Sequence, residues 1–419
     1  MLNRSIAPDF SKIFTIDLPV PEVVQLPGEV DFVFLPGLQQ EAFKLEVIFN
    51  AGKWQEPKPG LAHFTSVMLD KGTSGKSSKE IAERLDFYGA QLEISSGYDH
   101  VSVSLYGLKK FVREVFSVFV DILSDPVFPE VELELQKKIF LQNLEVNEKK
   151  NSFLASRLIR KNIFGSAHPY GNSVEKENAE AITTGDLKNY FKSNFSLYEI
   201  YLIGNIDAQQ IRWLVDQFPV LRLKKTNTQK EFVVETGVPI QHVNKPDSIQ
   251  SSIRMGMRTI NREHQDYFLL LLLNHLLGGY FGSRLMKNIR EEKGLTYGIY
   301  SSLNPFQNDC LFSIGADVDK TNVELTINEI KKEIESLTIQ PVSEVELDIA
   351  KNHLLGSLQL EMANPFSTLD KIKSIRINQL RKEYYRNLFQ AIKSATPDAL
   401  QTIAQSYFNT GDFHQVAVG

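Results

Sequence analysis

Residues 100–107 read HVSVSLYG. Apolar and polar side chains alternate there, which is the period-two pattern of a strand with one buried face. Residues 310–317 read CLFSIGAD and carry the same pattern. The residues around these two stretches are organised as a duplication. Before the first lie an apolar β-rich run (43–51), an apolar helical pattern (61–69), Gly72, a polar helix through Arg84, the turn glycine Gly89 and a strand at 91–96. Before the second lie a strand at 252–257, an apolar helix at 266–277, Gly278 and Gly279, a helix through Glu292, the turn glycine Gly294 and a strand at 295–302. After each come helices, at 111–146 (broken near Pro126 and Pro129) in one copy and at 323–337 and 343–362 in the other. The polar, aperiodic stretch 222–232 separates the copies and reads as a linker. The pattern predicts an α+β fold of two duplicated domains, residues 1–222 and 223–419, each a mostly antiparallel sheet with helices packed on it.

The totals narrow the function. The chain has 419 residues, 42% hydrophobic and 23% charged, with a net charge of −5, so no electrostatic ground exists for binding nucleic acid or an anionic membrane. The lone cysteine, Cys310, excludes an intrachain disulfide and a cysteine-based metal site. The apolar run 267–273 is broken by Asn274 and His275 and is too short to span a bilayer, so no membrane insertion is expected. No apolar run at the N-terminus has the length of a signal peptide, which points to the cytoplasm unless a signal has been trimmed.

The chemistry-bearing stretch is residues 60–73, GLAHFTSVMLDKGT. A zinc-peptidase helix carries two histidines one turn apart on one face, with a glutamate beside them as general base. His63 stands at the first of these places, but Ser66 and Val67 hold the places of the base and the second ligand, and neither can do that work. No two of the eight histidines are four residues apart. The frame Gly60, Ala62, His63, Phe64, Met68, Leu69, Lys71, Gly72, Thr73 nevertheless resembles the active-site segment of the pitrilysin, insulin-degrading enzyme and mitochondrial processing peptidase family. Residues 168–207, with their His-Pro-Tyr-Gly opening, extend the resemblance. The resemblance implies a third ligand, a glutamate, on a downstream helix near Gln142 or Asn143, with Glu145 the nearest carboxylate. One histidine and one glutamate would not hold catalytic zinc, so no metal and no cofactor are expected on this chain and His63 reads as a semi-buried relic.

Residues 278–302 resemble the family's second-domain signature, which implies that Arg290 and Tyr297 bind substrate, with Gly278 and Gly279 close to its backbone. The chemistry agrees: a guanidinium fork donates to a peptide carbonyl, and a phenol can stabilise an oxyanion developing on it. In the bland reading Arg290 pairs with a carboxylate, Tyr297 is an edge aromatic and the glycines cap a helix. One half of a peptidase site is lost and the other kept. The resemblance therefore implies a non-catalytic, substrate-binding subunit of a heterodimeric zinc metallopeptidase, inactive alone. Its partners would be a zinc-bearing subunit of the same family, which holds the zinc, and a peptide substrate; an isolated chain is open to pairing with a second copy of itself. The competing reading is a structural or peptide-binding scaffold of the same fold without peptidase activity, like the core subunits of respiratory complexes. No Gly-x-Ser-x-Gly or comparable nucleophile motif supports a self-sufficient enzyme.

Overall fold

The computed structural model describes residues 17–37, 40–224 and 230–419. In the first half a six-stranded sheet is built from β1 (Glu22–Leu26), β2 (Val30–Pro36), β3 (Ala42–Phe49), β4 (Gln91–Ser96), β5 (Val101–Leu108) and β6 (Leu197–Gly204). Their order is β1-β2-β6-β3-β5-β4, and only the β2–β6 pair is parallel. In the second half β7 (Ile240–Val243), β8 (Gln250–Thr259), β9 (Thr296–Pro305), β10 (Cys310–Asp319) and β11 (His414–Val418) order as β9-β10-β8-β11-β7, with only β11–β7 parallel. The mostly antiparallel, duplicated α+β architecture is thus what the alternation announced.

The interlocking of the halves was not announced. Along β2, Val30, Phe32 and Phe34 join the main core of the first half, while Val33 and Leu35 point to the opposite face. The main core is closed by α1 (Leu61–Val67), α2 (Ser78–Phe87) and α3 (Val112–Ser124), through residues such as Phe64, Leu85 and Phe116. After these helices come α4 (Glu130–Glu148) and α5 (Asn151–Phe164). The second half repeats the series with α6 (Tyr267–Asn274), α7 (Val323–Ile339), α8 (Glu344–Ala363) and α9 (Pro365–Ile377). The opposite face of the first sheet is covered by Leu369 and Ile372 of α9, from the second half. Reciprocally, Ala155, Ile159 and Ile163 of α5, from the first half, pack with Leu311, Val416 and Val418 of the second sheet. Each half lends the other a helix, and the strands of the first sheet beneath the lent helix carry apolar side chains on both faces, Phe32 and Val33 on β2 and Ile200 and Tyr201 on β6.

The inter-half stretch 222–232 lies partly outside the described residues, at 225–229. What is described of it is docked: the Lys230 ammonium donates to the Gln55 carbonyl at 2.7 Å, and Phe232 packs edge-on against Trp54. A second clasp is polar. The Tyr170 hydroxyl, from the His-Pro-Tyr-Gly segment, donates to Asp99 Oδ1 at 2.6 Å, and Asp99 Oδ2 accepts the Gln307 N–H at 3.0 Å.

Candidate functional site

Helix α1 starts at Gly60, whose φ of +98° suits glycine. The carboxylate of Glu56 caps it from a distance, accepting the N–H groups of Gly60 and Ala62 at 3.1 Å each. That geometry turns His63 into a cavity of about 440 Å³ bounded by α1, α4, α5, the 96–98 turn and the 172–174 segment. The His63 ring packs against those of Phe64 and Phe140, with centroids 5.1 and 5.4 Å away, and burial lowers its pKa. Ser66 is 1% exposed and spends its hydroxyl on the Ala62 carbonyl at 2.6 Å. Val67 packs against the core.

Of the candidates for the third ligand's place, Asn143 lines the same cavity as His63. Gln142 and Glu145 line a different groove on α4, and Glu145 pairs there with Lys149 at 3.0 Å. One imidazole, a hydroxyl committed to the backbone, a valine and a neutral amide do not suit zinc, which takes histidine, cysteine or carboxylate ligands. Among the described residues no three histidine, cysteine or acidic side chains gather as a metal site.

The cavity contains groups that the sequence did not single out. Phe153, Arg157 and Arg160 project into it from one face of α5. They are spaced i, i+4, i+7, opposite the apolar stripe at 155, 159 and 163 that seats α5 on the second sheet. Lys53 and Asn172 also line it, and the Lys53 ammonium donates to the Asn172 carbonyl at 2.5 Å. Burial, and next the charges of Arg160 and Arg157 acting against the attraction of Glu56, bring Lys53 down to about 8. Burial pushes Glu56 up to about 7, against its helix-cap hydrogen bonds. Tyr98 sits in the turn between β4 and β5 and forms part of the wall.

Three of the second-half candidates, Gly278, Gly279 and Tyr297, line a separate cleft of about 660 Å³ together with Tyr280 and Phe281. It shares no lining residue with the His63 cavity. Arg290, on the π-helical turn Met286–Glu292, lies over the Phe281 ring at 4.6 Å, which brings it to the rim. Gly294 turns the chain at φ +63°, and Tyr297 stands on β9, 91% exposed. Neither side chain has a hydrogen-bond or ion-pair partner among the described residues, so the bland carboxylate pairing of Arg290 is not found. Gly278 and Gly279 end a π-helical turn at negative φ, so they are not left-handed caps. Space requires Gly278: a Cβ there would lie 2.6 Å from the Ser301 nitrogen on β9.

Comparison with known proteins gives two successive family matches. Residues 37–177 match the family described as Insulinase (Peptidase family M16), and residues 181–354 match Peptidase M16 inactive domain. The chain is 24% identical to an uncharacterized zinc protease YmxG of Bacillus subtilis, over 74% of this chain and 76% of that one. It is 25% identical to a non-peptidase homolog YmxG of Helicobacter pylori, over 80% of this chain and 82% of that one. Among solved structures it is similar to a peptidase M16 inactive domain from Pseudomonas fluorescens, with a TM-score of 0.86 and 25% identity over 95% of this chain and 98% of that one.

Proposed function

From the premise that the chain belongs to the insulinase (M16) family of peptidases, we propose that it is the non-catalytic, substrate-binding subunit of a two-chain zinc peptidase. It supplies Arg290 and Tyr297 to the site of a zinc-bearing partner of the same family. The observation that carries this reading is the outward presentation of the pair. Tyr297 is 91% exposed at the rim of a cleft, while Arg290 is held there by an aromatic face and is neutralised by no carboxylate among the described residues. A side chain as large as tyrosine gains nothing for the fold in that position. The pair suits a peptide brought up from outside: the Arg290 fork donates to a backbone carbonyl, and the Tyr297 hydroxyl donates to the oxyanion that develops on the scissile one. The decayed centre at Ser66, Val67 and Asn143 is the complement of that role.

A scaffold without peptidase activity is the second reading, and the name of the Helicobacter pylori relative, a non-peptidase homolog, favours it. Co-purification of the tagged chain from its native cells separates the two. The eluate should contain a second chain with an intact zinc motif and should cleave peptides in a zinc-dependent manner. A pure, inactive homo-oligomer would favour the scaffold.

A further inference from the structure

The His63 cavity is more than a decayed site. Three cationic side chains, Lys53, Arg157 and Arg160, converge on it. Arg157 is balanced by Glu148, at 2.9 Å, and by Glu175. Lys53 spends one of its three donors on the Asn172 carbonyl. Arg160 has no ion pair or hydrogen bond among the described residues, and its Nε is buried without a partner. An unpaired guanidinium beside two other cations is costly in a partly dry cavity and calls for an anion. The same cavity also presents two buried acceptors without a donor, Asn172 Oδ1 and Glu56 Oε1. Unmet cationic donors beside unmet acceptors describe a ligand that is itself bifunctional.

We propose that this cavity binds an α-carboxylate with an N–H group on the adjacent carbon, the chemistry shared by the C-terminal residue of a peptide and a free amino acid. The Arg160 fork and the Lys53 ammonium take the carboxylate, and Asn172 Oδ1 and Glu56 Oε1 take the N–H. At about 440 Å³ the cavity has room for one or two residues, and Phe140 and Phe153 supply apolar wall for their side chains. The site lies within this chain and does not depend on a catalytic partner, so it stands or falls separately from the role given to Arg290 and Tyr297.

The test is calorimetric titration of the full chain with N-acetyl trialanine, its C-terminal amide, free alanine, acetate and inorganic phosphate. At least one of the peptide acid and free alanine should bind saturably, and the peptide amide should bind no more than about a tenth as tightly as the tighter of the two. Tight binding by alanine assigns the free amino acid, and binding by the peptide acid alone assigns the peptide C-terminus. Arg160→Gln should abolish binding, and Arg160→Lys, which keeps the charge but not the fork, should retain part of it, both with unchanged melting profiles. Asn172→Leu, which removes the side-chain acceptor for the N–H at similar volume, reports on the site independently and should also weaken binding. The proposal is overturned if neither peptide acid nor alanine binds, if the amide binds equally, if acetate or phosphate matches the tighter ligand, or if folded Arg160→Gln binds like the wild type.

Discussion

Arg376 of α9 reaches across to the first sheet and holds Glu199 of β6, with its Nε 3.1 Å and its Nη2 2.9 Å from one carboxylate oxygen. Glu199 is 1% exposed, and the same guanidinium also engages Asp31. The pair ties the helix lent by the second half to the sheet it covers. Removing one partner of a buried pair leaves the other charge uncompensated, which costs about 3–5 kcal/mol. Arg376→Met should therefore lower the urea midpoint sharply, and adding Glu199→Gln should recover much of the loss. Equal midpoints for wild type and Arg376→Met would refute the tie.

The exchange of helices alters what cleavage between the halves should do. A protease that cuts within 222–232 severs the chain, but α5 still lies on the second sheet and α9 on the first. The two fragments should co-elute as one species in size-exclusion chromatography under native conditions and separate in denaturant. Fragments that part without denaturant would contradict the interlocked packing.

The exchange marks the limit of what could be read in the sequence. Strand alternation at 101–108 and the paired glycines Gly89 and Gly294 announced each sheet and its turns, because those signals are local. That α5 packs on the far sheet depends on which of two apolar surfaces it meets, and its stripe at 155, 159 and 163 would suit either. The cavity was half legible for the same reason. His63, Ser66, Val67 and the Asn143 region lie in recognisable frames, whereas Lys53, Glu56 and Arg160 are brought together only by the close of α5 against α1 and α4. The arginine spacing at 157 and 160, opposite an apolar stripe, was the one available signal.

Zinc content tests the reading of the decayed centre. The untagged chain should carry no tightly held zinc by elemental analysis. Ser66→Glu with Val67→His should still hold none tightly, since Asn143 leaves the third place empty of charge. Adding Asn143→Glu completes the two-histidine, one-glutamate set and should bring zinc toward one per chain. About one zinc per wild-type chain would contradict the reading.

Acid should destabilise the fold through its buried histidines. Burial brings His100 down to about 4, and burial with the charge of neighbouring His353 does the same to His275. Both rings are therefore neutral in the folded chain while the unfolded chain takes up protons below about 6.5. The unfolded state binds more protons between about pH 6.5 and 4, so stability falls as pH is lowered through that window. His100 has both ring nitrogens buried without partners and stacks on Tyr198. His100→Phe keeps the stacked ring and removes the titration. Its urea midpoint should drop less than that of the wild type between pH 7 and pH 5, and an identical drop would show that His100 takes up no proton on unfolding.

The role given to Arg290 and Tyr297 is tested in the reconstituted two-chain enzyme. Tyr297 is almost fully exposed, so Tyr297→Phe removes a hydroxyl without touching the core. If that hydroxyl meets the developing oxyanion, its loss should cut turnover by about a hundredfold to a thousandfold and change KM much less. Arg290→Ala removes a donor to the ground-state carbonyl as well as its stacking on Phe281, and should therefore lower kcat and raise KM together. Cleavage of a quenched fluorescent peptide under steady-state conditions reads both constants, and size-exclusion chromatography confirms that each variant still pairs. Undiminished kcat in both Tyr297→Phe and Arg290→Ala, with the two-chain assembly intact, would remove the pair from catalysis and leave the scaffold reading in its place.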